Sequence, residues 1–278
     1  MNENETKGRV LIVAGSDSGG GAGIQADIKT VTALGGFAMT AITALTAQNT
    51  LGVTGILGIA PEFIRQQMRA CLDDLGADAI KTGMLHAPEV IEAVAAELEA
   101  SAPDLPLVVD PVMVAQSGAS LVEDAAVEAI LSLLLPRATL LTPNTPEAAR
   151  LTGLTVEDRK GQIAAGEQLV VLGAKAVLVK GGHLGGDPLV DVLCTAEGHV
   201  ELASSRVDTQ ETHGTGCTLA SAIATGLAQG LELEASVRRA QAYLHKALET
   251  APGFGRGQGP VNHGHTVRPT DLPAKVSR

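Results

Sequence analysis

Short β-branched apolar runs alternate with segments of helical spacing along most of this chain, and that alternation restricts the fold more than any single residue does. The run RVLIVA at Arg9–Ala14 reads as a buried strand ended by a glycine, and 23–34 puts Ile24, Ile28 and Val31 on one helical face. Segments 37–47 and 53–59 read as strands. A helix is expected over 61–75, with Pro61 in its first turn and Gly76 just beyond its end. The alternation continues through strand 79–82, helix 88–100, strand 107–110, helix 125–135 and strand 139–141. A short helix after Thr145, a long helix over 156–172 and strand 176–180 follow. Segments 189–194 and 200–202 read as outer strands, and helices over 218–229 and 232–249 precede a glycine-rich tail at 253–265. Strands separated by helices of this length form a parallel sheet covered on both faces.

The expected fold is a single α/β domain over 9–266, with a polar N-terminal tail at 1–8 and a C-terminal tail at 267–278. A chain of 278 residues that is 45% hydrophobic can bury a core of that size. With three Phe, one Tyr and no Trp, the interior must be aliphatic, and no row of rings is available to stack single-stranded bases. Twenty basic against 31 acidic residues give a net charge of −11, the wrong sign for binding nucleic acid. Residues 30–61 carry no charge, yet seven Thr, five Gly and the polar triplet at 48–50 interrupt every long apolar window, so no membrane span is expected. Cys71, Cys194 and Cys217 lie far apart with no C-x-x-C, and the opening MNENETKG has no apolar signal core. A cytoplasmic protein is the expectation.

In such a sheet, ligands bind beyond the carboxyl ends of the strands, so the residues that follow the strands are the candidates. The loop GSDSGGGAG at 15–23 allows close backbone approach to a ligand. It is not a Walker A loop. It meets only a loose dinucleotide pattern, G-x-G-x-x-A at 21–26, and no acid ends the next strand. Asp27 is expected on the first turn of the following helix, either as an acid near its positive end or as a pocket group. Gln48 ends a charge-free strand, where a side-chain amide must find partners; a heteroaromatic ring would supply them.

The turn THGTGCT at 212–218 opens an Ala-rich helix, so the amides around Gly214, Thr215 and Gly216 form an anion site. A thiol at that helix start, Cys217, is expected to be acidified enough to act as base or nucleophile, unless it is only a small residue in a tight turn. Lys180 ends an apolar strand before Gly181 and Gly182, whose lack of side chains would clear room for phosphate. Asp110 and Glu147 could hold Mg²⁺ through water, although Glu147 could equally be a first-turn acid. Cys71 and Cys194 read as core residues, and His263-Gly264-His265 as part of a mobile tail rather than metal ligands.

In chain order the segments VAGSDSGGGAGIQAD at 13–27, TAQNT at 46–50, KTGML at 81–85, VDPVM at 109–113, TPNTPE at 142–147, VKGGH at 179–183, HGTGCT at 213–218 and GPVNH at 259–263 form one constellation. It resembles the hydroxymethylpyrimidine/phosphomethylpyrimidine kinases, over about 9–265. The resemblance implies a ribokinase-like sandwich and two successive ATP-dependent phosphorylations in thiamine biosynthesis, of hydroxymethylpyrimidine and then of its monophosphate. It implies that Gln48 bonds the aminopyrimidine while Gly15, Asp27, Met84 and Val112 shape its pocket. Lys180, Gly182 and Asn144 would meet the nucleotide, and Asp110 and Glu147 the Mg²⁺. Gly214, Thr215 and Gly216 would form the anion hole and Cys217 the catalytic base. A homodimer with only small-molecule substrates as other partners is expected from the same source. The segment GFGRGQG at 253–259 departs from the family's pattern, which often has a histidine there. Three other readings stay open: a pyridoxal kinase of the same fold, a non-catalytic pyrimidine sensor and a nicotinamide oxidoreductase.

Overall fold

The computed structural model describes residues 8–113 and 124–267; the expected tails, apart from Gly8 and Val267, lie outside the described residues. Its strands are β1 (Arg9–Ala14), β2 (Phe37–Ile42), β3 (Ala44–Asn49), β4 (Gly52–Gly58), β5 (Ala79–Thr82), β6 (Leu107–Val109), β7 (Leu140–Leu141), β8 (Ala176–Val179), β9 (Leu189–Thr195) and β10 (Gly198–Ser204). Eight of them form one sheet in the order β10-β9-β8-β7-β6-β5-β1-β2. From β2 to β8 every pair is parallel, as the intervening helices demand. β9 and β10 follow β8 without a crossover helix and therefore add on antiparallel.

Alternation along each strand feeds two cores. Leu11 and Val13 of β1 face the layer of α2 (Pro61–Asp74), α3 (Pro88–Ser101), α4 (Asp124–Ala129), α5 (Thr145–Thr152) and α6 (Arg159–Val171). Val10, Ile12 and Ala14 face the layer of α1 (Gly23–Ala33), α7 (Thr215–Ala228) and α8 (Leu233–Glu249). The sheet is thus covered on both faces. α7 is buried continuously from Thr218 to Gly226, because small residues let the sheet and α8 close on it. A Cβ on Gly226 would stand 2.5 Å from Ser236 Oγ. Interiors packed to crystal density leave no room for such additions.

Three expectations need correction. The segment 37–47 is not one strand: it breaks at Thr43, whose N–H donates to the Ala14 carbonyl and whose hydroxyl donates to the Met84 carbonyl. Beyond that anchor, β3 leaves the main sheet and pairs antiparallel with β4 as a two-stranded arm. The helix expected over 125–135 is regular only in α4; it widens into a π turn at Ile130–Leu134 and tightens into a 3₁₀ turn at Leu135–Arg137, where Pro136 has no N–H to continue the ladder. Lastly, the tail 253–265 is docked rather than mobile. His213 N–H donates to the Gly259 carbonyl, Val261 is buried, and His263 is buried against Thr218.

Candidate active site

A cavity of about 730 Å³ opens at the carboxyl ends of β1, β5, β6 and β8, between the mouth of α7 and the β3–β4 arm. Gly15, Gln48, Met84, Asp110, Val112, Asn144, Glu147, Lys180, Gly182 and the turn from Gly214 to Cys217 line it, whereas Asp27 and Gly181 do not. At one end α7 begins without any side-chain cap. Its N-cap, Gly214, has φ +82°, and a Cβ there would collide with the Gly21 carbonyl. Only glycine serves at that position, which locks the helix mouth against the loop at 15–23. A Cβ on Gly216 would sit 3.4 Å from Lys180 Nζ and 3.7 Å from Asp110 Oδ2, so the bare backbone here leaves the helix mouth open towards a charged cluster. The result is an amide-lined helix start beside a lysine, a combination that suits an anion.

Lys180 Nζ lies 3.3 Å from Asp110 Oδ1 and 4.0 Å from Glu147 Oε2. Burial pulls its ammonium down, but the two carboxylates outweigh burial and keep it charged. Asp110 Oδ1 also accepts from Thr142 Oγ1, whereas Asp110 Oδ2 is buried with no hydrogen-bond partner. Asn144 and Glu147 form a reciprocal cap at the start of α5: Glu147 N–H donates to Asn144 Oδ1 at 2.9 Å, and Asn144 N–H donates to Glu147 Oε2 at 2.7 Å. Glu147 is therefore a first-turn acid, and its carboxylate also faces Lys180. Burial pushes it up to about 7, with Lys180 opposing and Asp110 adding to the rise.

The sulfur of Cys217 lies in the first turn of α7 at the cavity wall. The expected acidification is not what the surroundings give. Burial pushes the thiol up to about 12; Lys81 pulls it down, while Asp27 and Asp110 push it further up. A helix N-terminus supplies only partial charges, and here desolvation wins. Gly181 likewise proves to be a packing requirement, since its Cβ would collide with the Val190 carbonyl, whereas Gly182 stands in open space.

At the other end of the cavity Gln48 is half-buried on the arm rather than at the end of a core strand. Its Oε1 accepts from Thr46 Oγ1 at 3.2 Å, and its Nε2 is 3.4 Å from His213 Nε2. Met84 and Val112 line the same cavity, and a Cβ on Gly15 would collide with the Met84 methyl. Asp27 is the exception. It stands one turn into α1, not on its first turn, and is wholly buried in an ion pair with Lys81 beneath the cavity.

Sequence reasoning missed three residues. Asp17 accepts from the amides of Gly19, Gly21 and Ala22 at 2.8 to 3.0 Å and pairs with His213 Nε2 at 2.9 Å, joining the glycine-rich loop to the turn before α7. Burial alone would raise its carboxyl, but the bond to His213 and the loop amides hold it below the usual range. An acid set among glycines was a readable signal for this, since a short carboxylate organises nearby backbone amides. Lys81 was hidden inside an apolar strand and carried no such signal.

A mostly parallel α/β sandwich with an uncapped helix mouth facing a lysine and two carboxylates defines the ribokinase-like class of phosphotransferases. The comparisons then narrow the class: the phosphomethylpyrimidine kinase family profile matches residues 17–262, and the chain belongs to that family. It is 48% identical over 92% of its length to the hydroxymethylpyrimidine/phosphomethylpyrimidine kinase of Streptomyces coelicolor, covering 94% of that protein. It is 51% identical to the thiamine biosynthesis bifunctional protein ThiED of Geobacter sulfurreducens, of whose length it spans 52%. Among solved structures, the phosphomethylpyrimidine kinase of Clostridium difficile superposes with a TM-score of 0.78 at 40% identity, covering 87% of this chain and all of that one. The ADP complex of Bacillus subtilis pyridoxal kinase superposes with a TM-score of 0.87 at 34% identity, covering 93% and 98%. No helix among the described residues is long and apolar enough to cross a membrane.

Proposed function

We propose that this protein transfers the γ-phosphoryl group of ATP to hydroxymethylpyrimidine and then to the resulting monophosphate, in the cytoplasm, as one kinase unit spanning 9–266. The observation that carries the reading is the single cavity in which Gln48 stands at one end and Cys217, the α7 mouth and Lys180 at the other. Gln48 offers both a donor and an acceptor to an aminopyrimidine, and Gly15, Met84 and Val112 provide the apolar walls. Asp27 acts from below, through Lys81. The amides around Gly214, Thr215 and Gly216 receive the migrating phosphoryl group, and Lys180, Gly182 and Asn144 meet the nucleotide phosphates.

Phosphoryl transfer passes through a loose transition state, so positioning and charge neutralisation do most of the work. That suits a sulfur with high proton affinity: Cys217, once it has given its own proton to solvent, takes the hydroxymethyl proton late as the thiolate, after most of the bond to the leaving group has broken. The orphaned oxygen of Asp110 fits a divalent cation, and Glu147, which faces the same Lys180, would share it through water. Bound there, Mg²⁺ would neutralise phosphate charge. Phosphates and cation would also complete the Lys180 cluster, offsetting the repulsion from a chain of net charge −11. The exposed apolar side chains of the arm, Leu45, Ile56 and Leu57, form the surface on which a second copy docks in the proposed homodimer.

Coupled ADP release in the presence of Mg²⁺ tests the activity. Turnover with hydroxymethylpyrimidine and with its monophosphate, at least tenfold above pyridoxal in kcat/KM, is expected. A preference for pyridoxal would reassign the chain within the same fold, and no ADP with any heterocyclic alcohol would leave a sensor.

A further inference from the structure

Beneath the sulfur of Cys217 lies the charge pair of Lys81 and Asp27. Lys81 is wholly buried, and its Nζ donates to both Asp27 oxygens at 2.9 Å. Ser221 Oγ donates to Asp27 Oδ1 at 2.6 Å. Ser221 stands four residues after Cys217 on α7, so the thiol and the pair's anchor share one face of that helix. Lys81 reaches the cavity wall alongside Cys217, whereas Asp27 does not. Gly83 leaves the pair its space, because a Cβ there would sit 2.9 Å from Lys81 Nζ.

A buried ion pair is weak evidence for stability, since apolar replacements of similar volume are often neutral or better. Its position therefore asks for another explanation. The charged groups that face the sulfur are Lys81 from β5, Asp27 from α1, Asp110 beyond β6 and Lys180 beyond β8, and the Gly23 amide donates to it. Lys81 is the strongest of these influences, and it favours the ionised sulfur. Asp27 in turn favours the charged form of Lys81 against burial.

We propose that Lys81 is a positioning residue for proton transfer: its ammonium, fixed by Asp27 and Ser221, stabilises the Cys217 thiolate that accepts the substrate's proton. The thiol first gives its proton to solvent. The thiolate then takes the hydroxymethyl proton as that oxygen's lone pair forms the new P–O bond, and the electrons of the breaking P–O bond leave on ADP. Asp27 thereby acts on the sulfur's charge rather than on the pyrimidine.

This inference rests on the kinase reading, but its test does not need turnover. Iodoacetamide labelling of the free protein at one mildly alkaline pH, followed by mass spectrometry of the Cys217 peptide, reads the thiolate fraction. Lys81→Met is expected to slow labelling by about tenfold or more, one unit or more of proton affinity. It should also lower kcat while both KM values stay near wild type. Misfolding would expose the sulfur and speed labelling, so slowing cannot come from a damaged fold. If Lys81→Met does not fold, Lys81→Met/Asp27→Leu removes both charges at similar volume and must also label more slowly than wild type. A folded variant labelled at the wild-type rate or faster overturns the proposal. A wild-type protein that releases no ADP would defeat the kinase reading instead, with the labelling contrast still measured.

Discussion

The two ends of the cavity are built in different ways. The charged end, proposed to take phosphate, belongs to the sheet: Lys180 and Asp110 follow β8 and β6, Cys217 opens a helix buried from Thr218 to Gly226, and the polar groups there hold one another at 2.7 to 4.0 Å. The pyrimidine end borrows Gln48 from a two-stranded arm outside the sheet, where Leu45, Ile56 and Leu57 remain exposed. Under the proposed function, the chemistry common to both acceptors falls on the sheet-borne end and recognition on the arm. Asp17 and His213 tie the two together across the glycine-rich loop.

If that division holds, changes at the sheet-borne end alter kcat and changes on the arm alter the pyrimidine KM. Cys217→Ala should give the largest effect, a fall in kcat of roughly 10²–10⁴ with nucleotide affinity near wild type; steady-state kinetics with both acceptors measures it. Lys180→Met should cost on the order of 10²–10³ in kcat/KM for ATP, the scale of a lost transition-state donor. Gln48→Ala should raise the pyrimidine KM about tenfold, one hydrogen bond's worth, and leave the ATP KM in place. Equal effects on both KM values would erase the contrast between the ends.

Two smaller effects sharpen it. His263 docks the tail onto α7, and burial, helped by nearby Lys29, His265 and His213, pushes it down to about 4 from an ordinary 6.5. A lowered folded value means that stability is present above 6.5 and lost as pH falls towards 4, by about 3 kcal/mol in all. Urea unfolding of wild type and His263→Gln across that window should show the variant losing this part of the slope. Leu57→Lys on the arm should shift the monomer–dimer equilibrium towards monomer in sedimentation while leaving kcat within about twofold, since surface substitutions perturb the fold little.

Much of this was legible in the sequence. The strand and helix alternation marked out the sandwich, and charged residues ending apolar runs, Asp110 and Lys180, pointed to the charged end of the cavity because a charge is expensive in a buried strand unless it has work at the rim. The arm was not legible, because 37–47 is apolar and β-prone throughout and nothing local announces the break at Thr43; the anchors are the Ala14 and Met84 carbonyls, distant in sequence. The placing of Asp27 failed for a related reason. Its partner, Lys81, sits within AIKT, and only the packing of α1 against α7 over the sheet brings the two together. The acidified thiol failed because spacing shows a helix start but not its burial.

The most direct test is a crystal structure with ADP, Mg²⁺, aluminium fluoride and hydroxymethylpyrimidine bound together. The planar fluoride should lie within hydrogen-bond reach of the amides between Gly214 and Cys217, with the ring on Gln48 and the hydroxymethyl oxygen against the sulfur. A fluoride seated away from that helix mouth, or a ring whose hydroxymethyl group points away from Cys217, would contradict the account.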